Sequence, residues 1–238
     1  MAVGQGRQSL QGTVILRTEV FCLKSESPVP TQKAQRGRRR SGEVSGREVL
    51  LESALQAFSK FGYEGVSLRA IAADAGVDMA LVARIFGSKA DLWDYIVDNL
   101  AVRQVDHLDE IRSLNDEAEK NPEKAMQRFI QLFADISFHM PEFPAFLLLE
   151  ASNPGPRLSK LNEDLIQPFK AATLPLISKA RQAGIIIAHN DELFFGMLIS
   201  AISLPMVAPA VFCGKPTLSA RLKNSIAKQA MAMFIVKT

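Results

Sequence analysis

Cysteine is scarce in this 238-residue sequence, where Cys22 and Cys213 stand alone and far apart. Two distant thiols cannot build a disulfide framework, so the fold must rest on a packed core and a reducing compartment is the default expectation. Histidine is nearly as rare. His107, His139 and His189 are separated from one another and from cysteine, so no metal site is expected. There is no Gly-x-Ser-x-Gly elbow and no cofactor fingerprint. The string Gly214-Lys-Pro-Thr217 lacks the earlier glycine of a phosphate loop and carries proline after its lysine. Neither catalysis nor a cofactor is therefore expected. A secretory signal is not convincing either, because the apolar stretch Val14–Leu16 is interrupted by Arg17 and Glu19.

What is present describes a globule with a basic tail. At 47% hydrophobic and 22% charged residues, the chain can bury a real core, and wholesale disorder is excluded. Residues 1–45 hold eight Lys/Arg against three Asp/Glu, whereas the remaining 193 hold twenty against twenty-two. The segment is rich in Gly and Pro, lacks sustained periodicity and contains the cluster Arg36, Arg38, Arg39 and Arg40. It reads as a flexible arm suited to a polyanion. At the other end, residues 193–214 run for 22 positions without a charge, long enough for a membrane span. Pro205, Pro209, Ser200 and Ser203 within it favour a helix buried between two apolar surfaces of a protein with no membrane partner.

Between these lies a tightly punctuated helical region. Ser45 and Glu48 have capping-box spacing, and Leu50, Leu51, Ala54, Leu55, Phe58 and Phe61 follow at helical intervals until Gly62. Ser67 caps a short helix over 68–75, Gly76 ends it, Asp78 caps a third over 79–86, and Ser88 with Asp91 opens a fourth. Short helices with tight corners are what a helix-turn-helix requires. Ile71, Val77 and Val82 seal a small core, and Met79, Ala80, Ala83 and Arg84 are left on the outer face of the helix that would enter a major groove.

These residues resemble the tetracycline-repressor (TetR) family of bacterial transcription regulators. The family pattern falls here on Ala54, Phe58, Gly62-Tyr63, Ser67, Ile71-Ala72, Ala75-Gly76-Val77 and Phe86-Gly-Ser-Lys89-Ala-Asp-Leu92. The resemblance implies that Arg69 and Lys89 reach DNA, the latter at a phosphate, with Ser67 counted beside them at the head of the second helix. One departure stands out. Where the family usually carries Tyr and, two residues later, His, this chain has Ala83 and Ile85 with Arg84 between them. Arg84 is then the residue placed to replace the lost phosphate contact or to read guanine. Residues 46–92 hold five Lys/Arg against six Asp/Glu, so the arm would have to supply most of the non-specific attraction.

The expected fold is all-α: the arm over 1–45, a three-helix DNA-binding domain over 46–92 and a helical effector-binding and dimerisation domain over 93–238. Helices are expected from 89 to about 114, from Pro122 onward, and over 158–182, 191–211 and 217–237. The stretch 140–156 is proline-bounded and rich in Phe and Leu. The resemblance implies a homodimer through the last two long helices, double-stranded operator DNA and a small-molecule effector as partners, and a cytoplasmic, nucleoid-associated location, most often as a repressor. Activation on the same scaffold, or a membrane-attached protein using 193–214, are the alternatives. Trp93, Phe129, Phe133, Phe138, His139, Phe143 and Phe146 are the candidates for an effector cavity, against the plainer reading of an aromatic core. Deleting residues 1–40 is expected to flatten the salt dependence of DNA binding, measured as the slope of log affinity against log salt; an unchanged slope removes the arm from the interface.

Overall fold

The computed structural model describes residues 46–236. The arm, with Arg36, Arg38, Arg39 and Arg40, and the Ser45 half of the first cap lie outside the described residues. Every described element is helical, and the short helices begin where the sequence places their caps. Helix α1 spans Gly46–Phe61, α2 Leu68–Asp74, α3 Met79–Phe86 and α4 Lys89–Ala118. The Ser67 hydroxyl accepts from the Ala70 N–H at 3.2 Å, and an Asp78 carboxylate oxygen accepts from the Ala80 N–H at 2.7 Å. At the start of α4, Ser88 and Asp91 form a reciprocal capping box. Gly76, at φ +66°, makes the left-handed turn between α2 and α3 that a side chain would resist.

Beyond α4 come α5 (Pro122–His139), α6 (Glu142–Ala151), α7 (Pro156–Leu161), α8 (Gln167–Gln182), α9 (Asp191–Val207), α10 (Pro209–Phe212) and α11 (Ala220–Phe234). Three sequence expectations need correction. The helix expected over 158–182 is interrupted by a π turn at Asn162–Ile166, where the Gln167 N–H reaches back to the Asn162 carbonyl. Pro168 explains it: the ring offers no N–H and would collide with the carbonyl of Asp164 four residues earlier, so the chain widens by one residue. The helix expected over 191–211 ends at Val207, ahead of Pro209, which divides the uncharged run 193–214. Among the described residues no single helix is long and apolar enough to cross a membrane. Phe61, assigned to the apolar face of α1, is 58% exposed. Tyr63 folds back through the Gly62 turn and stacks on Phe58 at 5.8 Å, taking the place Phe61 would have filled.

Two hydrophobic cores result. The first joins Leu50, Ala54 and Phe58 of α1 to Ile71, Val82 and Phe86, and is completed by Trp93, Ile96, Val97 and Leu100 of α4, Phe146 of α6, and Leu161 and Leu165 from α7 and the π turn. The second gathers Leu108, Ile111 and Leu114 of α4 with α5, α8, α9 and α11, through side chains such as Phe129, Leu176, Leu198 and Ala227. Helix α4 is common to both, and Gln104 and His107 occupy the stretch where one core gives way to the other. Phe58 is fully buried. Replacing it with Ala is expected to lower stability by about 3–5 kcal/mol in urea unfolding; a loss under about 1 kcal/mol would mean that the first core does not close around it.

Candidate nucleic-acid interface and effector cavity

The outer surface of α3 is built by elimination. Val82 and Phe86 turn inward, so the 3.6-residue period leaves Met79, Ala80, Ala83 and Arg84 exposed, together with Ile85. Arg69 is exposed on α2, and Ser67 is exposed at its cap. Residues contributed by two short helices are thus exposed, with one long cation on each. The Asp91 carboxyl is held below the usual carboxylate range, chiefly by the Ser88 hydroxyl and then by the Ser88 N–H. A depressed native pKa means that this cap contributes at neutral pH and is lost as acidification passes through the lowered value.

Lys89 is differently employed. Its ammonium donates to the carbonyls of Tyr63 at 3.0 Å and Val66 at 3.2 Å, and sits 4.2 Å from the centre of the Tyr63 ring. The side chain expected at a phosphate therefore also locks the loop that carries α2. The same loop is also held from farther along the chain. The Arg157 guanidinium lies 3.9 Å from the Tyr63 ring centre and donates to the buried Glu150 carboxylate at 3.0 Å. Burial pushes the Tyr63 hydroxyl above its ordinary value, with Arg157 opposing. Sequence reading missed this assembly, because its members lie on α1–α2, α4, α6 and α7 and no local spacing joins them.

Residues 50–96 match the family described as bacterial regulatory proteins, tetR family. Over this segment the chain is similar to the TetR family. Within that match α2 and α3 form the helix-turn-helix. Among solved structures, HlyIIR, a hemolysin II transcriptional regulator, is 17% identical over 81% of this chain and 98% of its own, with a TM-score of 0.58. A HlyIIR mutant with a segment replaced by a linker reaches 0.63 at the same identity and coverage. PfmR, a TetR-family regulator from Thermus thermophilus, is 18% identical over 79% of this chain and 97% of its own, at 0.54. These likenesses concern the fold. No match is found among curated proteins.

A cavity of about 210 Å³ lies where the two cores meet. Helix α4 contributes Leu100, Gln104 and His107, while α5 and α6 contribute Phe133, Ser137 and Phe143 among others. Phe169 of α8 and the Phe195, Gly196 and Ser203 face of α9 close the far side. Of the seven aromatic candidates, Phe133 and Phe143 are brought to this wall. The others are not. Trp93 and Phe146 pack together in the first core at 5.7 Å, with the Trp93 indole N–H lacking a partner. Phe129 is fully buried in the second core, and Phe138 packs edge-on against His139, whose Nδ1 lies 2.7 Å from the Asp135 carbonyl at the end of α5. Helical spacing selected apolar positions on α5 and α6 without saying which neighbours would cover them. An isolated glycine inside the apolar α9 was the legible hint at the wall that was overlooked.

Substituting Lys89 by Met is expected to lower stability by about 1.5–3 kcal/mol, since two carbonyls lose a charged donor. Thermal or urea unfolding checks it, and an unchanged midpoint would leave Lys89 as a surface cation only.

Proposed function

We propose that this protein is a ligand-responsive repressor that binds a near-palindromic operator as a homodimer. The observation that carries the reading is the outward set on α3, Met79, Ala80, Ala83 and Arg84, displayed beside Arg69 on a unit whose own core is sealed behind it. Arg84 has the length and donor fork to read guanine O6 and N7, and Met79, Ala80 and Ala83 suit thymine methyl groups. Arg69 and the capped N-terminus at Ser67 are assigned to backbone contacts. Lys89 is assigned a double role, holding the loop and offering its remaining N–H to a phosphate.

Dimerisation is assigned to α9 and α11, which pack side by side. Leu193 and Met197 on α9 are 64% and 57% exposed, and Met233 on α11 is 65% exposed. Large apolar side chains displayed along adjacent helices favour a protein partner. A second copy would present two reading helices, which must fall about 34–36 Å apart to meet successive major grooves.

Communication between cavity and DNA is assigned to α6. Its Phe143 and Leu147 line the cavity, its Phe146 packs on Trp93 of α4, and its Glu150 holds the Arg157 that lies on Tyr63. A molecule that moves α6 therefore biases the separation of the reading heads with no change in the base contacts themselves. The basic arm with Arg36, Arg38, Arg39 and Arg40 is assigned to non-specific attraction.

Selection of bound fragments from genomic DNA by the purified protein tests the reading. Two half-sites related by a dyad are expected, and Arg84→Ala is expected to lose about 1–3 kcal/mol of discrimination at one base position in each. Fragments retained without a shared sequence would contradict operator recognition.

A further inference from the structure

We propose, resting on the reading of the helices beyond Leu92 as ligand-binding, that the cavity takes an uncharged lipophile. The volume is about 210 Å³. An apolar cavity of about 150 Å³ takes benzene, so the scale here is a bicyclic ring system or a chain of several carbons. Among the described residues that line it there is no Lys, Arg, Asp or Glu, and His107 is the one titratable side chain in the wall. An ion placed there would shed its hydration and meet no fixed counter-charge, a loss that dispersion contacts do not restore. The remaining polar wall is neutral. Ser137 and Ser203 are 3% and 6% exposed, and the Gln104 amide already donates to the Leu165 carbonyl at 3.1 Å. Such groups orient one hydroxyl, carbonyl or amide on a ligand without balancing a charge.

The test is displacement of the neutral bicyclic fluorophore 1-aminonaphthalene from the full-length protein at pH 8 by 1-octanol, octanoate and octylammonium. Octanol is expected to displace the dye at a concentration at least tenfold lower than either ion. Ser137→Leu, and Ser203→Leu on α9, are each expected to weaken dye binding at least tenfold while the emission of buried Trp93 keeps its wild-type position. Either ion matching octanol would overturn the uncharged class. Undiminished dye binding in both variants would overturn the cavity as the site. Operator binding is read separately. No dye binding with intact operator binding sinks this inference alone, whereas dye and octanol binding that leaves the operator complex unchanged supports it and sinks the ligand-responsive reading.

Discussion

The arrangement depends on one helix belonging to two cores. Helix α4 gives Leu92 to Leu100 to the core of the reading head and Leu108 to Ala118 to the core of the larger half. Neither half can therefore shed its packing on α4 without disturbing the same thirty-residue helix. The polar residues that fall between, Gln104 and His107, mark where the cavity lies. Lys160 reinforces the join: its ammonium bonds Asp98 of α4 and Asp164 of the π turn, both at 2.7 Å, and these carboxylates hold it well above the ordinary lysine range. A cavity placed at such a junction is within a few residues of anything that moves the head.

The head itself was the most legible part of the chain. Caps are local chemistry, in which a serine or aspartate side chain binds a backbone N–H two or three residues on, so Ser67, Asp78 and Ser88 announced α2, α3 and α4 to within a residue. The exposed face of α3 followed from the positions its core residues had already taken. The larger half was legible only in kind. Its helices were visible as periodic apolar runs, but Pro168 and Pro209 broke two of them. The ends of α7, α8 and α9 therefore depend on where a missing N–H can be tolerated. The cavity wall was hardly legible at all, because Phe169, Phe195 and Gln104 become neighbours only through tertiary packing. Trp93 and Phe146 illustrate the converse: both carry the aromatic surface expected of a pocket, and both are spent on holding α6 to the head.

The chemistry of the interface has a corresponding division of labour. The described head carries no surplus of positive charge, and one of its five cations, Lys89, is engaged with backbone carbonyls. On the proposed function, recognition by α3 would rest on shape, methyl contacts and Arg84, and long-range attraction on the basic residues ahead of Ser45. Tyr63, whose ring is approached by both Lys89 and Arg157, is a point where the larger half touches the loop that sets α2.

The sharing of α4 is tested most directly by equilibrium unfolding in urea, followed at one protein concentration by two signals. Emission from Trp93, the sole tryptophan, reports on the first core, and far-ultraviolet circular dichroism reports on all the helices together. The two transitions are expected to coincide, and Leu114→Ala in the second core is expected to move both to lower urea by the same amount. A Trp93 transition that separates from the dichroism change, or that stays in place in that variant, would contradict a fold in which one helix serves both cores.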